Sequence, residues 1–219
     1  MHPPYDNIDA YASDIALLPP EIRRLPLQCL KVVVKPGTRT LLEVMDQARW
    51  SMICVQLTAL LLLVSVIDYL FYLLRTLKHT SMLQSIWSFA SESGVVVNVL
   101  AIPFFMLVGI GVLHWLTYLL GGRGKFLTML YTNLLFQVPL LLLSAIINDI
   151  PGIISFGEIS WIAIACSVIS IAIQLYTAVL QALALKAVHG LSQSRAVVCV
   201  LLLVLFSLPL VIFLSIIIL

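Results

Sequence analysis

Charge is what this chain has least of. Of 219 residues, 12 are Lys or Arg and 10 are Asp or Glu, and that 10% compares with about a quarter in a soluble domain. The shortage is uneven. Half of the basic residues and six of the ten acidic ones precede Trp50, so the 169 residues from Ser51 onward hold ten charges. A soluble fold cannot cover its surface with so few, so most of this surface must be solvated by lipid. The net charge of +2 is too small to point to nucleic acid.

Several chemical signatures are missing as well. The start, Met1-His2-Pro3-Pro4-Tyr5-Asp6, has no basic region with an apolar run behind it, so the N-terminal segment is expected to be retained. Cys29, Cys54, Cys166 and Cys199 have no short-range spacing, and three of them fall in apolar runs; buried free thiols are expected. His2, His79, His114 and His189 lack ligand spacing and there is no HExxH, so neither metal nor other cofactor is expected. Gly121-Gly122-Arg123-Gly124-Lys125 lacks the preceding strand and the GK[ST] ending of a phosphate cradle, and reads as a tight interhelical loop. The one aspartate well inside an apolar run, Asp68, has no acidic partner for intramembrane proteolysis. These absences argue against an enzyme.

What the chain does have is long apolar runs. A helix needs about 20 apolar residues to cross the hydrocarbon core, and five stretches qualify: roughly 51–74, 95–120, 126–148, 159–185 and 196–219. The fold class expected is an all-α integral membrane bundle of five spans. With five spans, the N-terminal segment and the 121–125 and 186–195 loops share one side, which holds ten Lys+Arg against two on the other. The positive-inside rule then places the N-terminus in the cytoplasm and the C-terminus on the far side, in the cell membrane if the source is prokaryotic.

The first 49 residues form the other domain. Residues 1–28 are Pro-rich and are expected to be mostly irregular. Thr40-Leu41-Leu42-Glu43 has the pattern of a capping box, and Leu41, Val44, Met45 and Ala48 follow at helical spacing. They predict a short amphipathic helix over 41–49, lying on the membrane surface and leading to Trp50 at headgroup level.

Polar residues inside spans are costly and often functional. At 1.5 Å per residue, Asp68 lies roughly 27 Å from the inner face and His114 about 10 Å, too far apart to act together; Asn98 shares the depth of Asp68. His114, Asn133 and Gln181 fall within about 7–12 Å of the inner face, and Gln137 and Gln174 form a second layer about 16–18 Å up. Amides in apolar helices face other helices, because lipid offers them no partner. The layer therefore reads as interhelical hydrogen bonding, with a polar cavity for a substrate as the alternative. Arg123, Lys125, Lys186 and Arg195 are candidate headgroup contacts.

The order of these features resembles a known family. Pro36-Gly37-Thr38 leads through an amphipathic turn to Trp50, and Tyr118-Leu119-Leu120-Gly121-Gly122-Arg123-Gly124-Lys125-Phe126 joins the second and third spans. Pro139 interrupts the third, and Ala182-Leu183-Ala184-Leu185-Lys186-Ala187-Val188-His189-Gly190-Leu191-Ser192 closes the fourth before Arg195 opens the fifth. Over roughly residues 35–219 the chain resembles the Yip family of five-span membrane proteins, its bacterial branch in particular. The resemblance implies an N-cytoplasmic five-span fold. Eukaryotic members of the family bind prenylated Rab-type GTPases and act in vesicle traffic; their D-L-Y-G-P motif is absent from the N-terminal segment here. The expected function is a non-enzymatic scaffold or partner-binding module in membrane organisation, its partners the bilayer and a protein or a second copy. The alternative is a small transport component, such as a substrate-binding membrane subunit.

Overall fold

A computed structural model describes the backbone over residues 20–76, 95–154 and 161–218, and the side chains over 22–74, 101–151 and 161–206. All described elements are helices: α1 (Pro20–Val34), α2 (Thr38–Met45), α3 (Trp50–Thr76), α4 (Val95–Leu119), α5 (Phe126–Ile154), α6 (Trp161–His189) and α7 (Gln193–Ile218). Within α3, α4, α5 and α6 run stretches of 19 to 29 residues apolar enough to cross a membrane. The described side chains of α7 give a shorter apolar stretch, Gln193–Phe206, and its backbone stays helical to Ile218. The chain is thus a multi-pass integral membrane protein with the expected five-helix bundle.

The ends of α5 and α6 fall later than expected. The third span, expected to stop at 148, continues through Pro151 to Ile154, so much of the expected 149–158 loop is helix. Neighbouring helices make an internal proline tolerable in a membrane. The fourth span runs to His189 rather than 185, with Lys186 and His189 in its last turn, where the negative end of the helix dipole favours basic groups. Gly190 then ends it at φ 64, a backbone conformation that residues with a Cβ resist.

The helices are not equal. α5 packs on α1, α2, α3, α4 and α6, and every residue from Met129 to Phe136 is buried. Around it, α4, α5, α6 and α7 form a closed ring of contacts, each touching the next and α7 returning to α4, while α3 lies outside against α5 and α4. Far along α5 and α6 from the Gly-rich loop, Ser170 Oγ donates to Asn148 Oδ1 at 2.8 Å.

The N-terminal helices depart most from expectation. Residues 20–28, expected to be irregular, are the first half of α1. Proline at the first helical position, here Pro20, lacks only an amide that would be unpaired anyway, and so starts the helix. Leu25 and Val32 of α1 are buried, while Leu27, Leu30 and Val34 are exposed. Tyr176 of α6 donates its hydroxyl to the Val33 carbonyl, and Tyr131 of α5 donates to Gln28 Oε1 at 3.0 Å. Gln28 in turn donates to Gln47 Oε1 at 2.7 Å. α1 is therefore strapped along the bundle.

α2 covers Thr38–Met45 rather than 41–49, and a turn at 46–49 separates it from α3. The expected capping box does not form: Gly37 is the N-cap, and the Glu43 carboxylate takes Lys31 Nζ at 2.7 Å instead. That ion pair ties α2 to α1. The apolar face of α2, Leu41 and Val44, is buried, and α2 packs on α6 and α5. The pair with Lys31, by hydrogen bond and by charge, holds the Glu43 carboxyl below its usual pKa, with Arg39 adding to the effect. Burial pushes the Cys29 thiol up to about 11, so it is no thiolate near neutral pH. Cys166 and Cys199 are buried, whereas Cys54, expected inside, is exposed on the surface of α3.

Candidate functional site

Two features of the bundle bring polar groups together. The first is the meeting of the Gly121–Lys125 loop with the end of α6. The Gly124 amide donates to Nδ1 of His189 at 3.0 Å. With Nδ1 accepting, the ring proton sits on Nε2, which faces Thr117 Oγ1 at 3.4 Å and Met129 Sδ at 3.2 Å. A metal ion at Nε2 would need the opposite tautomer, with two N–H groups aimed at each other. The Thr117 hydroxyl donates to the His114 carbonyl at 2.6 Å.

The loop can approach this closely only because it is glycine. A Cβ on Gly124 would stand 2.5 Å from the Val188 carbonyl oxygen, and one on Gly122 would stand 2.9 Å from the Thr117 carbonyl oxygen and 3.0 Å from the His189 ring. Arg195 of α7 completes the clasp by donating to the Leu120 carbonyl at 3.3 Å. The two motifs quoted above, GG-x-G and LK-x-VHG-L-S, are thus two halves of one contact. Reading His189 only for ligand spacing missed it. The signal was two glycine-bearing loops at the same end of the bundle, one with a histidine.

His114 stands beside this clasp. Its ring packs on His189 with centroids 5.1 Å apart and edge-on to Phe126 at 5.5 Å. Asn133 is fully buried and donates back along its own helix to the Met129 carbonyl at 2.8 Å. Among the described residues no hydrogen bond joins His114 to Asn133 or Gln181. His114 Nδ1, Asn133 Oδ1 and both amide atoms of buried Gln56 have no protein partner. Gln56 stands six residues into α3 and Asn133 seven into α5, about 10 Å along two helices that pack on each other. These atoms offer a donor and several acceptors, a set suited to bridging water.

The second feature is a cavity of about 430 Å³ inside the ring of α4 to α7. Gln181 lines it together with the deeper pair Gln137 and Gln174; His114 and Asn133 do not. The expected polar layer is therefore divided between two places. Among the described lining residues none is charged, and apolar groups such as Phe105, Ile110 and Leu140 make up most of the wall.

The basic residues lie about the clasp end. Arg123 and Lys125 are exposed, Arg195 is exposed apart from its bond to Leu120, and Lys186 borders a separate apolar groove between α6 and α7.

The clasp joins the two stretches that first suggested a family, within a five-helix bundle. No curated protein and no solved structure matches the chain. The Yip1 domain family model matches residues 30–215, a span that takes in both halves of the clasp, the cavity and the last third of α1, and the chain belongs to that family.

Proposed function

We propose that this Yip1-domain protein is a non-enzymatic membrane scaffold that presents a fixed, basic platform to a partner. The observation that carries this reading is the clasp. The Gly124–His189 bond and the Arg195–Leu120 bond hold the two loops in one geometry, and the strapped α1–α2 pair docks on the same α5 and α6. A surface ordered before binding loses less entropy when it binds. In this reading the platform is cytoplasmic, by the bias of Lys and Arg. Arg123, Lys125, Lys186 and Arg195 meet anionic headgroups, and Arg123 and Lys125 also face the partner.

The test is co-purification in mild detergent with mass spectrometry, comparing the native chain with the Arg123→Glu/Lys125→Glu double variant. The expected result is a protein enriched with the native chain and lost with the variant. Enrichment that survives both charge reversals removes the platform from the reading.

A second reading, a small transport component, is favoured by the cavity. It predicts that a cysteine at Ala178, on the cavity wall, reacts with hydrophilic reagents from both sides of the membrane. Reaction from neither side sinks it.

A further inference from the structure

The cavity among α4, α5, α6 and α7 holds three side-chain amides that no group among the described residues engages. Gln137, Gln174 and Gln181 line it, and no hydrogen bond to any of them is found among the described residues. Gln174 and Gln181 are seven residues apart on α6, two turns along one face and about 10 Å from each other. Gln174 is exposed, and Gln137 and Gln181 are half-buried. Unsolvated amides in an apolar environment each cost on the order of several kcal/mol, so something polar meets them.

The remaining wall decides what. It is apolar, and its described residues carry no charge that would offset a charged ligand. Burying an ion without a counter-charge is far costlier than burying a hydroxyl or carbonyl. Each amide offers two donors and an acceptor oxygen, which match hydroxyl and carbonyl groups equally well. A volume of about 430 Å³ lies in the range that takes a small organic molecule. We propose that this cavity is a binding site for an uncharged amphiphile of acylglycerol chemistry, its hydroxyls and ester carbonyls on Gln137, Gln174 and Gln181 and its chain along the apolar wall. The site stands whether the ligand is held as part of a scaffold or moved across the membrane.

The full-length protein is reconstituted in phosphatidylcholine vesicles doped with a diacylglycerol carrying a diazirine in one acyl chain. On irradiation the site predicts saturable labelling of peptides from α4 and α6 at the cavity wall, displaced by unlabelled diacylglycerol. Phosphatidic acid with the same chains competes at least about tenfold less well. The Gln137→Leu/Gln174→Leu/Gln181→Leu variant binds about 10- to 100-fold more weakly, as expected for two or three lost hydrogen bonds. Competition on the native chain needs no variant, so it decides the matter even if the triple substitution fails to fold. Labelling that does not saturate, or equal competition by phosphatidic acid, overturns the proposal. So does an unlabelled cavity in which Ala178→Cys reacts freely with hydrophilic reagents, which would make it a water-filled space. Loss of diacylglycerol competition leaves the platform reading intact, since its test depends on Arg123 and Lys125.

Discussion

Gly124 and His189, 65 positions apart in sequence, share a 3.0 Å hydrogen bond that fixes the tautomer of the histidine and the path of the loop. Both partners are needed. Removing the imidazole strands a backbone amide, and adding a Cβ to the glycine drives it into the Val188 carbonyl oxygen at 2.5 Å. We expect His189→Ala to cost about 1–3 kcal/mol, the penalty of leaving a half-buried donor unpaired and a buried ring's space empty. Gly124→Ala costs about 3 kcal/mol, at the upper end for overpacking, because the obstacle is backbone. Thermal unfolding in detergent measures both. A Gly124→Ala protein as stable as the native chain contradicts the clasp.

The strap gives a second expectation. Tyr176→Phe and Tyr131→Phe each remove one donor to α1 at little change in volume, and each costs about 1 kcal/mol. Hydrogen exchange localises the effect: α1 amides lose protection while Met129–Phe136 keep theirs. Because Leu27, Leu30 and Val34 face outward, a nitroxide-bearing lipid quenches a fluorophore at Leu30→Cys. No quenching places this face in water.

The Lys31–Glu43 pair makes the α1–α2 contact pH-dependent. The folded carboxyl has a lowered pKa, so the unfolded chain binds the proton more readily. The contribution is fully present above the ordinary carboxylate value of about 4.3 and is lost as pH falls through the folded value beneath it. Protection of the α1 and α2 amides, taken relative to the intrinsic exchange rate at each pH, therefore falls on acidification from about pH 6 to below pH 4. Glu43→Gln has lower protection at pH 6 and loses that fall. A Glu43→Gln profile matching the native one rejects the link.

Gln56 offers a test of opposite sign. Both of its amide atoms are buried without a protein partner. If nothing satisfies them, Gln56→Leu stabilises the bundle by about 1 kcal/mol or more in the same unfolding assay, since it removes an unmet desolvation cost. Destabilisation instead means that bridging water holds Gln56, and then Asn133→Leu destabilises as well.

Sidedness is testable by labelling intact cells. Cysteine at Ser192 is expected to be shielded from an impermeant reagent added outside, and cysteine at Gly157, beyond the described residues, to react. The reverse pattern inverts the orientation.

The spans were legible because crossing a bilayer imposes length and apolarity together, and the sequence meets both. Their arrangement was harder to read. In a soluble bundle the buried face differs from the wet one, but here lipid and core are both apolar, so periodicity does not mark α5 as the centre. Its carboxamides do: α5 holds three, Asn133, Gln137 and Asn148, against two in α6, Gln174 and Gln181. Thr132 and Asn133 bond back along the helix, and Asn148 takes Ser170. α1 was hidden because Pro20 and Pro26 read as breakers, although the first merely opens the helix. The glutamines could be given a height from the sequence but no position around the bundle, because 1.5 Å per residue fixes height and leaves azimuth to packing. Residues 77–94, most of the loop expected between the first two spans, and the side chain of Asn98 lie outside the described residues.

The bond between Ser170 and Asn148 acquires a further meaning beside the clasp. α5 and α6 are riveted near one end by Gly124 and His189 and far along their length by Asn148 and Ser170. They form a spine that resists sliding or splaying. The cavity's other two walls are tied in at the clasp, α4 through Thr117 beside His189 and α7 through Arg195 on the Leu120 carbonyl. Those two helices touch each other and meet the spine along their flanks. Mechanically the clasp is a knot at one end of all four walls, and the Asn148–Ser170 bond is a second fastening for two of them.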